Sequence, residues 1–173
     1  MYLLVPIFLS SPLLKLIPTN PAALSLPTSL SLRPSPGRGL GVFALSPVPA
    51  FEEVGRYVGE LICAAENERR YKGGGWRSRL WRLGRRLRGE TVTGDYVYSI
   101  EPDLLVDGED TARSGWTRYL NHSGEPNLAA KSLTQDMYGE PKVWFYALRD
   151  IDVGEELTFS YGSKYWDEND DVL

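Results

Sequence analysis

Hydrophobic and polar positions along the chain alternate in short runs punctuated by glycine and proline, the texture of small β-sheets. From Leu32 onward six runs read as strands: Gly41–Ala44, Gly55–Ile62, Asp95–Ile100, Leu104–Asp107, Val143–Ala147 and Glu156–Tyr161. DYVYSI (95–100) is the clearest, since its aromatic and polar residues alternate with the period of a half-buried strand. One stretch departs from this period. Trp76, Leu80, Trp81, Leu83 and Leu87 recur at mixed three- and four-residue spacings, which predicts a short amphipathic helix, and Gly73-Gly74-Gly75 precedes it as a hinge. The expectation is a mainly β domain with one or two short helices in an insertion. No internal repeat or heptad pattern is present.

Residues 1–32 differ in texture. They hold a single charge, Lys15, and five prolines, and no acid occurs before Glu52. Prolines at that density forbid a membrane-spanning helix. The segment reads as a disordered leader or a targeting segment, of plastid type rather than secretory, because the basic start of a signal peptide is missing. The expected domain is therefore 33–166, with 167–173 as an acidic tail.

Composition narrows the chemistry. One Cys (Cys63) and one His (His122) in 173 residues exclude a disulfide framework, a four-Cys zinc knot and multi-histidine catalytic metal sites. The net charge of −4 conceals a segregation: residues 69–90 carry nine basic side chains and one acid, leaving −12 for the remainder. An acidic body suits a basic peptide through Asp103, Glu109, Asp110, Glu125, Asp167, Glu168 and Asp170. The basic island, with Trp76 and Trp81 interleaved, suits either a solvated helix face or contact with nucleic-acid phosphates through residues such as Arg82, Arg85 and Arg86.

Three motifs carry chemistry. Gly37-Arg38-Gly39-Leu40-Gly41 matches part of a dinucleotide fingerprint, but Pro34 and Pro36 before it, and Pro47 and Pro49 after it, remove the buried strand and phosphate-binding helix such a site needs. A glycine cluster still lets backbone approach a ligand closely. Asn121-His122-Ser123-Gly124-Glu125-Pro126-Asn127 reads alone as a capped turn, although an Asn-His pair also offers donors and acceptors to a purine edge. ALRDIDVGEELTFSYG (147–162) reads as strand, tight turn and strand ending in Tyr161.

In this order, GRGLGVFA (37–44), RYVGELI (56–62), YVYSI (96–100), RYLNHSGEPN (118–127) and ALRDIDVGEELTFSYG (147–162) resemble the SET domain of protein lysine methyltransferases, over roughly Arg33 to Trp166. The resemblance implies small β-sheets with a C-terminal pseudoknot around the active site. It also implies S-adenosyl-L-methionine as cofactor and a lysine-bearing protein, foremost a histone tail, as substrate. By position, Arg38, Gly39, Leu40, Asn121, His122, Tyr161, Tyr165 and Trp166 would contact the cofactor. Tyr161 and Tyr96 would be catalytic. Tyr57, Tyr98 and Phe159 would line the lysine channel, and Phe159 would leave room for more than one methyl group. Relatives that bind zinc carry a Cys where Gly124 stands and a Cys-rich segment after the domain; both are missing here, so no metal is expected. A channel lid would then come from the tail aromatics, the basic island or a second subunit in a homodimer. The resemblance implies a nuclear location unless residues 1–32 direct the chain to a plastid. The alternative is a non-catalytic module of the same fold that binds lysine peptides, chromatin or nucleic acid.

Overall fold

The computed structural model describes residues 25–162. Among the described residues ten strands form three small sheets. The first contains β1 (Leu30–Ser35), β2 (Gly39–Ala44), β7 (Asn121–His122) and β10 (Glu156–Phe159) in the order β1-β2-β10-β7. The second contains β3 (Glu53–Arg56), β8 (Leu128–Leu133) and β9 (Lys142–Ala147) in the order β3-β9-β8. The third contains β4 (Glu60–Ile62), β5 (Val97–Glu101) and β6 (Leu104–Asp107) in the order β4-β6-β5. A four-residue helix α1 (Ala64–Asn67) runs into a π-turn over Glu68–Lys72, α2 spans Trp76–Leu87, and a 3₁₀ turn covers Trp116–Tyr119. Among the described residues no helix is long and apolar enough to cross a membrane.

The core lies where the first two sheets meet. Val143, Phe145 and Ala147 of β9 point inward, while Lys142, Trp144 and Tyr146 alternate outward. Lys142 and Lys131 cover the outward Trp144 and Tyr146 rings at 4.6 and 4.7 Å. Val42 and Ala44 of β2, Leu157 and Phe159 of β10, Leu120, Leu128 and Ile151 complete the interior.

Two departures from the sequence pattern have clear causes. The run Gly55–Ile62 is not one strand: it pairs with β9 as far as Arg56, passes through Tyr57–Gly59, and pairs with β6 from Glu60. Gly59 marks the crossing, because a Cβ there would collide with the Asp107 carbonyl. Leu30–Leu32, placed in the leader by composition, instead begin β1, in register Leu30↔Ala44 and Pro34↔Leu40 with β2. β1 is an edge strand, where a proline without an N–H is tolerated. Residues 1–24 of that leader and the acidic tail 167–173 lie outside the described residues.

Candidate active site

Strand β10 creates the site by lying between β2 and β7. It runs antiparallel to β2 and parallel to β7, with Thr158 opposite Asn121 and Phe159 opposite His122. A two-residue parallel strand is a weak ladder by itself, and side chains reinforce it. Asn127 donates through Nδ2 to the Glu156 carbonyl (2.8 Å) and accepts through Oδ1 from the Thr158 N–H (2.9 Å). The Ser123 N–H bonds the Phe159 carbonyl at 3.2 Å. His122 Nδ1 accepts the Tyr161 N–H at 3.1 Å, which places the imidazole proton on Nε2. The Asn-His segment and the C-terminal strand are thereby tied together, with Tyr161 leaving at their junction.

From Tyr161 a continuous row of rings crosses the site. Its centroids follow Tyr161 to Phe159 (4.9 Å), Phe159 to Phe145 (4.8 Å), Phe145 to Tyr57 (6.3 Å) and Tyr57 to Tyr98 (5.7 Å), with His122 on the far side of Tyr161 (5.4 Å). These separations lie in the range of favourable tilted and edge-to-face pairs. The Tyr161 hydroxyl donates to the Leu120 carbonyl at 2.9 Å and the Tyr57 hydroxyl to the Tyr96 carbonyl at 2.7 Å. Burial pushes the Tyr57 hydroxyl far above its ordinary value, with Arg118 opposing and Asp107 adding to the rise; burial alone raises Tyr98. Both phenols therefore stay protonated through neutral and mildly alkaline pH.

The structure brings Tyr57, Tyr98, Phe159 and Tyr161 into this row and places Tyr96 beside it. Tyr96 gives its carbonyl to Tyr57, while its ring lies 3.8 Å beneath the Arg118 guanidinium. Arg38 and Leu40 meet Asn121 and His122 from the β1–β2 hairpin. Arg38 donates to the His122 carbonyl (2.8 Å), and Asn121 Nδ2 donates to the Leu40 carbonyl (3.0 Å). Gly39 turns the hairpin at φ +74°, a left-handed conformation that favours glycine. Tyr165 and Trp166 lie outside the described residues.

Two residues that the motif reading did not single out organise the site. The Glu156 carboxylate accepts from Ser35 Oγ (3.0 Å), Arg38 Nη2 (2.7 Å) and Asn121 Nδ2 (2.7 Å), joining the hairpin, β7 and β10 at one point. Gly41 makes room for it, since a Cβ there would collide with the carboxylate. Arg118, 7% exposed, keeps Nε and Nη1 buried without hydrogen-bond partners and borders a cavity of about 170 Å³ with Leu26, Leu32, Ser114, Trp116 and Tyr119. Glu109, by sequence one of the acids expected to face a basic peptide, is instead buried at 1% exposure and accepts the Thr93 and Gly94 N–H groups. Among the described residues no group of three or more His, Cys, Asp or Glu side chains is placed to hold a metal ion.

Comparison with known proteins agrees with this geometry. The SET domain family matches residues 39–162. "Histone-lysine N-methyltransferase, H3 lysine-4 specific" of Kluyveromyces lactis is 34% identical over 124 residues, 70% of this chain and 10% of the relative. "Histone-lysine N-methyltransferase set1" of Dictyostelium discoideum is 32% identical over 124 residues, 70% of this chain and 7% of the relative. "Histone-lysine N-methyltransferase trithorax" of Drosophila virilis is 34% identical over 130 residues, 75% of this chain and 3% of the relative. The chain thus spans a tenth or less of the length of these relatives. The matched span runs from the glycine hairpin to the residue after Tyr161 and takes in every element of the threaded junction: the chain belongs to the SET-domain family.

Proposed function

We propose that the protein is an S-adenosyl-L-methionine-dependent N-methyltransferase acting on lysine side chains of proteins, with histone tails the leading substrate class. The supporting observation is the aromatic row that ends on Tyr161 beside the Asn121–His122 junction. A lysine amine must be neutral to act as a nucleophile, and its free pKa of about 10.4 opposes this. A channel walled by Tyr57, Tyr98, Phe159 and Tyr161 disfavours the ammonium by desolvation. The protons of the Tyr57 and Tyr161 hydroxyls are committed to carbonyls, so toward a substrate amine each oxygen acts as an acceptor. Two such acceptors orient the amine lone pair without competing as nucleophiles, and that alignment converts binding into rate.

The bound cofactor supplies a methyl group on a sulfonium. Arg38, Gly39, Leu40, Asn121 and His122 would hold it, with Tyr165 and Trp166 flanking its adenine. What supports this is the open space above Gly39, which leaves the hairpin backbone accessible to a ligand. Tyr161 and Tyr96 are the catalytic assignments, Tyr96 through its carbonyl on Tyr57. No metal is assigned, since Gly124 replaces the zinc-binding Cys of relatives. A nuclear location goes with the histone assignment. Incubating the full chain with methyl-labelled cofactor and a panel of histones and cell extract tests the proposal. Label is expected on lysine in the native protein and absent in Tyr161→Phe, which should still bind cofactor by calorimetry. Cofactor binding with no labelled lysine in any substrate would favour the non-catalytic binding module.

A further inference from the structure

Helix α2 is packed inside out. Its protein-facing side is polar: Ser78 and Arg85 are 3% and 5% exposed. Trp81 lies under the Arg70 and Arg85 guanidinium groups, each 5.3 Å from its ring, and meets the Tyr71 ring edge-on at 5.6 Å. Arg82 donates to the carbonyls of Arg70, Tyr71 and Gly73. The opposite side carries Trp76, Leu80, Leu83 and Leu87, exposed by 70, 61, 53 and 79%. Their spacing of four, three and four residues forms one stripe. The helix cannot roll to bury it, because rolling would break the Arg82 bonds and the Trp81 packing. Both are in turn fixed to the sheet by Arg70, which bonds Glu60 and Asp107.

We propose that this stripe is a docking surface for an acidic amphipathic helix of a partner protein. Four apolar anchors spread over about 17 Å of helix match the i, i+3, i+4, i+7 pattern by which one helix seats on another. Charge selects the partner. α2 contains five arginines and no acid, and Arg77 borders the stripe on one side while Arg79 and Arg86 border it on the other. A second copy would bring the same three bordering cations, Arg77, Arg79 and Arg86, against these. Nucleic acid would satisfy the arginines but leave the leucines against sugar and phosphate. An anionic membrane would face a body that carries −12 outside residues 69–90. An acidic amphipathic helix satisfies both the leucines and the arginines.

The test uses the full chain and a fluorescein-labelled helical peptide with Leu at i, i+3, i+4 and i+7 flanked by Glu. A control peptide of the same composition has its leucines scattered. Saturable anisotropy is expected for the patterned peptide alone. The double variant L80Q/L83Q should weaken binding by about tenfold or more, since each Leu gains apolar burial on docking. R79Q/R86Q should flatten its salt dependence. Because these side chains are exposed, thermal melts should match the native protein; if L80Q/L83Q melts early, L87Q at the helix end carries the comparison. Equal binding of the two peptides, or unchanged affinity in the stripe variants, overturns the proposal. So does stripe-dependent dimerisation in sedimentation, flotation with phosphatidylserine vesicles, or duplex DNA binding that L80Q/L83Q abolishes.

Discussion

Glu156→Gln changes almost no volume and removes one charge, so it isolates the hub that joins three elements of the site. In the native protein one carboxylate oxygen accepts from Ser35 Oγ and Arg38 Nη2, and the other accepts from Asn121 Nδ2. A glutamine has one acceptor oxygen and one donor nitrogen, so either orientation fails. Its amide meets the Asn121 donor, or it meets Arg38 and Ser35. Hydrogen bonds to a charged acceptor contribute about 1.5–3 kcal/mol each. The Arg38 pair takes the lower figure for surface pairs, about 0–1 kcal/mol, because Arg38 is 41% exposed. The expected loss is about 2–3 kcal/mol, carried by the Asn121 bond or the Ser35 bond, whichever donor the amide nitrogen faces. With a urea m-value of about 2 kcal/mol/M the unfolding midpoint falls by about 1 M or more. Cofactor affinity by calorimetry should drop about tenfold, since Asn121 and the Leu40 carbonyl lose their alignment. Arg38→Met, by comparison, should cost under about 1 kcal/mol of stability. A Glu156→Gln midpoint within about 0.2 M of the native one, with m unchanged, would refute the hub.

Further outcomes follow from the aromatic row and its surroundings. Asn121→Ala should weaken cofactor binding in calorimetry by about tenfold or more, because it removes the donor shared by Leu40 and Glu156. Phe159→Tyr adds a hydroxyl between Phe145 and Tyr161 and should shift products toward monomethyl-lysine by mass spectrometry. The pH dependence has a definite sign. Tyr57, Tyr71 and Tyr98 are all raised by burial, Tyr71 with Asp107 adding. Each therefore holds its proton in the folded state after the unfolded chain begins to lose it near pH ~10. Their stability contribution is complete below that pH and declines above it. Activity should rise with pH as lysine deprotonates and show no falling limb below about pH 10; a lower falling limb that Tyr57→Phe removes would contradict this. At the acid end, Glu66 is held below the usual carboxylate range by its bond to Arg69, so that pair stabilises above about pH 4.3 and is lost as pH falls further.

Strands β2, β6, β9 and β10 were legible because each alternates or forms a short apolar run between turn residues. β1 was not, because Pro34 and Pro36 speak against a strand, and only its pairing with β2 makes it one at an edge. β8 (LAAKSL) lacks a β-branched pattern and takes its form from six-residue pairing with β9. β7 exists only because β10 lies beside it. The same limit applies to chemistry. Asn121, His122 and Tyr161 stand out in local motifs. Glu156 and Arg118 sit inside those motifs, yet their roles depend on chain segments 121 and 22 residues away: Ser35 for Glu156, Tyr96 for Arg118. For α2, periodicity shows which residues share a face but not which face meets the protein. Here the polar face does.

That inversion also redistributes the charge of the basic island. Nine cations in residues 69–90 suggest phosphate contact from sequence, but most are engaged within the fold. Arg70 is 4% exposed; burial opposes its charge, yet bonds to Glu60, Glu66 and Asp107 hold it firmly protonated. Arg69 pairs with Glu66, Lys72 with Glu68, and Arg85 and Arg88 with Glu90. Arg82 caps the carbonyls of Arg70, Tyr71 and Gly73. Of Arg82, Arg85 and Arg86, the natural choices from sequence for contacting nucleic acid, the first two are therefore structural. Arg82→Gln strips three carbonyls of a charged donor and should cost about 1–3 kcal/mol in urea unfolding. It should leave the salt slope of any nucleic-acid binding unchanged. R79Q/R86Q should stay within about 0.5 kcal/mol of native stability. If the protein binds duplex DNA through this helix, the same variant removes about 0.9 from the log–log salt slope for each phosphate it no longer neutralises. The reverse pattern, a stable Arg82→Gln with a flattened slope beside an unstable R79Q/R86Q, would mean that α2 turns its arginine-rich face to solvent and its leucines to the protein.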